Sequence, residues 1–277
     1  PVEVINRITG EKTVVQLDLN HDGPFGFAMT LRIALGAENA GAYANLYHYD
    51  PAAKALEFRG SAKIGADGKA ELAFTGASEY AVVIDTESHT PWVNPFTDVG
   101  EDDWFRDAVE YVNTRGMMSG TSGTTFTPQG TTTRGMIVAI LYRLAGSPAG
   151  SGEGAAFSDV PSGKYYTEAV AWAAANGIVG GYGDGRFGPD DPITREQLTV
   201  ILMRYAGYKG VDVTARADLG KFADADQIGG FAREALAWAN QQGLINGKSS
   251  DTLDPKGRAT RAETAAILMR FCQNYNL

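Results

Sequence analysis

The 277-residue chain has a single cysteine, Cys272, and only three histidines, His21, His48 and His89. One thiol forms no intrachain disulfide, and a supply this small argues against a zinc centre built from cysteine and histidine. No run of about 18 apolar residues occurs, so no membrane-spanning helix is expected. Cations are outnumbered: 24 Lys and Arg face 33 Asp and Glu, a formal net charge of −9. That balance argues against general nucleic-acid binding, which needs clustered positive charge. Catalytic groupings are missing too. The histidines fall within the first ninety residues, no serine or cysteine motif accompanies them, and no paired carboxylates stand out, so the chain reads as a non-enzyme without a cofactor. Asp184, Asp190 and Asp191 lack the spacing of a calcium-binding loop.

Two composition regimes divide what is present. Residues 1–88 carry short stretches of near-alternating β-formers, "KTVVQLDLN", "FAMTLRIALG", "YANLYHYD", "ALEFRGSAKI", "KAELAFT" and "YAVVID". Turn signals "NHDGPFG", "YDPAAK" and "GADGK" separate several of them. Six or seven strands at this spacing predict a small antiparallel β-sandwich. Tyr43, Tyr47, Tyr49 and Phe58 would fill its core or form an aromatic patch. Residues 89–95 read as a linker. The chain opens at Pro1 without a signal peptide, as a processed or partial chain would.

From residue 96 the pattern turns helical and repeats. Phe96–Asp98–Val99 returns as Phe157–Asp159–Val160 and Phe222–Asp224–Ala225. Gly116, Gly177 and Gly243 correspond, as do Thr133–Arg134, Thr194–Arg195 and Thr260–Arg261. Each copy, over 96–146, 157–207 and 222–277, gives a first helix stopped by a glycine, a Gly-rich loop, and a second helix opened by "TR". Thr133, Thr194 and Thr260 are N-caps, and Gln197 and Glu263 complete capping boxes that Met136 does not. An arginine in the first turn opposes the helix dipole at a cost of about 0.3–1 kcal/mol. Its threefold use points to an anionic partner, or to ion pairs with Asp98, Asp159 and Asp224. The missing capping box ranks Arg134 below Arg195 and Arg261. Arg143, Arg204 and Arg270 suit the C-terminal end of the second helix, and Trp172 and Trp238 suit packing between copies.

The stretch "FSDVPSGKYYTEAVAWAAANGIVGGYGDGRFGPDDPITREQLTVILMRYAG" resembles an S-layer homology module. The likeness rests on F-x-D-V, G-I-x-x-G, G-x-F-x-P and the T-R-A-E-like motif, intact as Thr260–Arg261–Ala262–Glu263 and altered as Thr133–Arg134–Gly135–Met136. Residues 1–88 resemble, less specifically, small β-rich domains found beside such modules in clostridial surface proteins. The resemblance implies a multidomain α+β chain whose second part is an all-α three-module spindle with pseudo-threefold symmetry. It implies non-covalent anchoring to an anionic, pyruvylated secondary cell-wall polysaccharide at the cell wall or S-layer, with other surface proteins as further partners. Alternatives are a lattice or adhesion protein working through its β-domain, and a carbohydrate-binding portion of a larger enzyme. Arg195, Arg261 and Arg134 would meet the polysaccharide carboxylate. Thr194, Thr260, Thr133, Gly120, Gly181, Gly247, Trp104 and Tyr165 would support it.

Overall fold

A computed structural model of the chain describes residues 12–149 and 157–277. Within its strands the side chains at 18, 20–26, 28 and 77 lie outside the description, His21 among them, and most of the expected flexible connector 146–155 lies outside it as well. The chain divides into two units, Pro1–Trp92 and Val93–Leu277.

Among its described residues the first unit is one antiparallel sheet, not a pair of sheets. Strands β1 (Val14–Ala34), β2 (Tyr43–Asp50), β3 (Ala55–Lys63) and β4 (Lys69–Asp85) stand in the order β1-β4-β2-β3. The expected six or seven strands merge because "NHDGPFG" does not end a strand. It is absorbed between Asp18 and Met29 as two register shifts of β1 against β4. Extra residues in one strand bend it without breaking the pairing. Both ends of the long β1–β4 pair then feed one core, in which Leu72 and Phe74 from one end join Tyr80, Val82 and Ile84 from the other. Two ends of one strand pair thus supply the apolar cover that a second sheet would have given. Tyr43, Tyr47, Tyr49 and Phe58 are half-buried and lie outside that core.

The boundary also falls inside the expected linker. Asn45, fully buried, donates to the Glu87 carbonyl at 3.0 Å and accepts from the His89 N–H at 2.7 Å. His89 Nδ1 lies 2.6 Å from Tyr47 Oη, and Nε2 lies 2.7 Å from Asp85. Residues 87–89 are therefore held on the sheet.

Six α-helices are described in the second unit, two per repeat: α1 (Arg106–Thr114), α2 (Arg134–Leu144), α3 (Thr167–Ala175), α4 (Arg195–Tyr208), α5 (Arg233–Gln241) and α6 (Arg261–Tyr275). The first helix of each repeat ends in the same way. Gly177 adopts φ +68°, its N–H bonds the Ala174 carbonyl at 3.1 Å, and the Ile178 N–H bonds Ala173 at 2.8 Å. Gly116 and Gly243 repeat the arrangement with φ +63° and +69°. This is a Schellman ending, in which a left-handed residue satisfies the last free carbonyls.

Helices of the same repeat are not the main packing partners. The second helix of each repeat packs on the first helix of the next: α2 on α3, α4 on α5, and α6 back on α1. A ring of backbone bonds runs the same way. The Ile193 N–H bonds the Thr132 carbonyl at 2.9 Å, Ala259 bonds Ile193 at 3.0 Å, and Thr132 bonds Ala259 at 3.2 Å. All three residues are fully buried. Trp172 meets Tyr142 of the first repeat as well as Tyr205 and Tyr208 of α4. Trp238 stacks on Tyr275 within its own repeat.

No atom stands within 4 Å of a Cβ placed on Gly177. Gly177→Ala therefore isolates the cost of the left-handed backbone, about 1–2 kcal/mol. Urea denaturation should show that loss with an unchanged m-value.

Candidate functional site

The "TR" helices begin where three chain segments meet. Their cap threonines lie in isolated bridges between repeats: Thr133 with Pro192, Thr194 with Arg258, and Thr131 with Thr260. Thr194 with Gln197 and Thr260 with Glu263 form full capping boxes, while Thr133 only accepts from the Met136 N–H. The cation that opposes the dipole is held here by neighbours from the next repeat.

Arg134, Arg195 and Arg261 are only 6%, 4% and 7% exposed. Arg134 Nε donates to the Phe187 carbonyl at 2.8 Å and Nη2 to Gly180 at 3.1 Å. Arg261 repeats the pair on Phe126 at 2.8 Å and Ser119 at 2.6 Å. Arg195 Nε donates to the Leu253 carbonyl at 3.0 Å, and its Nη1 lies 3.5 Å from Glu263. Each guanidinium thus braces the loop of the following repeat. Burial pulls all three pKa values down from the free value, and nearby Tyr182 and Asp191 at Arg134, Glu263 at Arg195 and Asp98 at Arg261 push back. A guanidinium stays cationic under such shifts.

The aspartates named as alternative ion-pair partners hold loop N–H groups instead. Asp98 accepts from Phe126 and Thr127, both at 2.7 Å; Asp159 from Phe187 and Gly188, both at 2.8 Å; Asp224 from Leu253 at 2.9 Å and Asp254 at 2.7 Å. In each loop one residue has its N–H on the aspartate of its own repeat. Its carbonyl accepts from the arginine of the preceding repeat. The loop glycines are spaced for the same fold. A Cβ on Gly120 or Gly181 would meet the Phe96 or Phe157 ring at 2.6 or 2.7 Å, and on Gly247 the Ser249 carbonyl at 2.7 Å. Arg143 and Arg270 donate to the Met117 and Leu244 carbonyls at 3.0 and 3.2 Å, and of the three later arginines only Arg143 lies in the last turn of its helix.

A groove of about 410 Å³ lies among the three repeats. It brings together four of the residues expected from the sequence, Arg195, Thr260, Gly247 and Trp104, and adds Lys248, Glu263 and Arg270. Trp104 is 65% exposed, beside a buried Phe105. The corresponding rings ahead of the other first helices, Tyr165 and Phe231, are both 63% exposed. Arg134 and Arg261, with Thr133, Thr194, Gly120, Gly181 and Tyr165, do not line this groove. Sequence reading missed Lys248 and Glu263 as a pair because they sit fifteen positions apart; the N3 position of Glu263 was visible only as a cap.

A model of the S-layer homology domain matches residues 95–135, 156–199 and 221–265. The chain carries three tandem S-layer homology domains. It is 33% identical over 228 residues to an amylopullulanase of Thermoanaerobacterium thermosulfurigenes, a match covering 80% of this chain and 11% of that enzyme. It is 36% identical over 188 residues to Exoglucanase XynX of Acetivibrio thermocellus, covering 65% of this chain and 16% of the enzyme. A cellulosome-anchoring protein of Acetivibrio thermocellus is 26% identical over 159 residues, 55% of this chain and 34% of that protein. The chain thus spans a small part of the length of the first two curated relatives. S-layer homology domains are non-catalytic anchoring modules that bind cell-wall components, and relatives of this chain include cell-surface and S-layer proteins. Among the described residues no helix is long and apolar enough to cross a membrane.

Two outcomes follow for the braces. Arg261→Lys keeps the charge but not the fork that reaches two carbonyls. It should cost about 2–4 kcal/mol in urea unfolding, the scale of two lost charge-assisted bonds. Burial pushes the Asp159 pKa up, but the Phe187 and Gly188 N–H groups hold it below the usual carboxylate value overall. Its stabilisation is then full above about pH 4, the unfolded pKa, and lost as pH falls through the lower folded value. Asp159→Asn should lower the thermal midpoint at pH 7 and flatten its fall in acid.

Proposed function

We propose that the helical unit anchors its protein non-covalently, outside the cell, to an anionic, pyruvylated secondary cell-wall polysaccharide of the wall or S-layer. The observation that carries this reading is the groove at Trp104. In a chain of net charge −9, it gathers Arg195, Lys248 and Arg270 against one carboxylate, Glu263, beside an exposed indole. An indole face suits the apolar face of a sugar ring. Fixed cations suit a ketal carboxylate, through charge-assisted hydrogen bonds that a neutral sugar lacks.

On this reading the modules run over 96–146, 157–207 and 222–277 and form a spindle of pseudo-threefold symmetry. Related grooves then bring Tyr165, Gly120 and Thr133 near Arg261, and Phe231, Gly181 and Thr194 near Arg134. The arginines do double work, bracing the next loop and adding positive potential at its mouth. The unit Pro1–Trp92 is a spacer or displayed cargo. Arg134 and Arg261 brace their loops alike, and Arg134 is placed last only on its missing capping box.

Co-sedimentation of the full chain with purified Gram-positive wall, before and after mild acid removal of pyruvate ketals, tests this. Ketal removal should weaken binding by about tenfold or more, as loss of a charge-assisted contact would. Unchanged binding to the stripped wall would contradict the anionic-ligand reading.

A further inference from the structure

The three loops that open onto the second helices share a backbone closure. The N–H of Thr121 bonds the Thr125 carbonyl at 2.9 Å, that of Tyr182 bonds Arg186 at 2.9 Å, and that of Lys248 bonds Thr252 at 2.7 Å. Position 248 is therefore structurally equivalent to 121 and 182, and of the three only Lys248 is a cation. Glu263 likewise corresponds to Met136 and Gln197, the N3 residues of α2 and α4. The groove at Trp104 alone pairs a lysine with a carboxylate at these two places.

The pair is arranged unequally. Glu263 Oε2 accepts from the Thr260 N–H at 3.0 Å and completes the helix cap. Its Oε1 takes the Lys248 ammonium and lies 3.5 Å from Arg195 Nη1. The Lys248 side chain is 39% exposed, that of Glu263 12% and that of Arg195 5%. Arg195 already gives its Nε to the Leu253 carbonyl, and Arg270 gives an Nη1 to Leu244. An ammonium has three N–H donors, and Lys248 is the most exposed of the three cations that line this groove with Trp104, Arg270 being half-buried and Arg195 buried.

Building on the anchoring reading, we infer that Lys248, not the motif arginine, is the cation that meets the ligand carboxylate in this groove, and that Glu263 is a built-in competitor for it. A carboxylate arriving from solvent meets Lys248 first and must share it with Glu263. Arg195 is a positioning residue: it fixes the Leu253 loop and adds potential from below. The three grooves then differ at these two positions: only this one has a lysine at the loop position of 248 facing an acid at the N3 position of 263.

Glu263→Gln separates the two jobs of that residue. Gln197 forms the equivalent cap in α4, its Oε1 accepting from the Thr194 N–H at 3.2 Å, so a glutamine keeps the helix start while the competing charge disappears. The probes are the methyl glycoside of a hexose carrying a 4,6-pyruvate ketal and the same glycoside without it. Each is titrated into the full chain and followed by calorimetry and by the Trp104 indole N–H resonance. Wild type should bind the ketal and shift the indole signal. Lys248→Gln should weaken that binding about tenfold, and Glu263→Gln should tighten it severalfold, because one charge-assisted contact is lost or freed. The thermal midpoint of each variant is measured alongside, and Lys248→Arg should restore most of the affinity if the fold is intact.

Ketal binding by wild type that Lys248→Gln leaves unchanged, or that Glu263→Gln weakens in a folded chain, overturns this assignment while the anchoring reading stands. Ketal binding that leaves the Trp104 resonance unmoved also overturns it, by putting the ligand in another groove. Failure of wild type to prefer the ketal removes the anionic-ligand reading itself.

Discussion

The helical unit depends on one interaction made three times: a buried guanidinium on the first turn of one module's second helix, bonded to backbone carbonyls of the next module's loop. A helix N-terminus is a poor place for a cation, and desolvation makes it worse. The carbonyls of Phe187, Leu253 and Phe126 offset that cost because they are fixed acceptors inside the protein. They are fixed because Asp159, Asp224 and Asp98 hold the N–H groups of the same residues from the other side. Aspartate, loop and arginine form one relay between modules, which ties the loop conformation of one to the helix start of another.

The relay explains why the modules come as a set. A two-helix repeat buries too little to fold alone, and tandem repeats usually stack in an open line with exposed ends. Here α6 returns to α1, and the backbone ring through Thr132, Ile193 and Ala259 closes. No terminal repeat needs a cap, since every module is capped by another. Closure also makes the groove: Arg195, Trp104 and Glu263 come from the second, first and third modules and meet only because the ring shuts.

Much of this was legible in the sequence, and the gaps have physical causes. Helix ends were readable at Gly177 and at Thr194 with Gln197, because a positive φ and a cap are local demands that particular residues meet. The sheet was misjudged as a sandwich because "NHDGPFG" has turn chemistry yet is accommodated as register shifts, a choice made by pairing with β4 over long range. The arginines were recognised as special, but their backbone partners could not be read, since a carbonyl acceptor leaves no trace in residue type. Asp98, Asp159 and Asp224 were read as ion-pair partners of the arginines, whereas they hold backbone N–H groups about 28–30 positions away, which no residue type signals. Lys248 escaped notice because its importance comes from a partner on another element.

The central claim is that the three modules form one closed cooperative ring. Native-state hydrogen exchange on the full chain, comparing wild type with Arg261→Lys, tests it most directly by following amides of α1, α3 and α5, one from each module. A closed ring predicts that protection falls by a similar free energy in all three helices, because breaking one relay opens the whole. Loss confined to α1 and α6, with α3 as protected as in wild type, would show that the modules fold independently and would contradict the account.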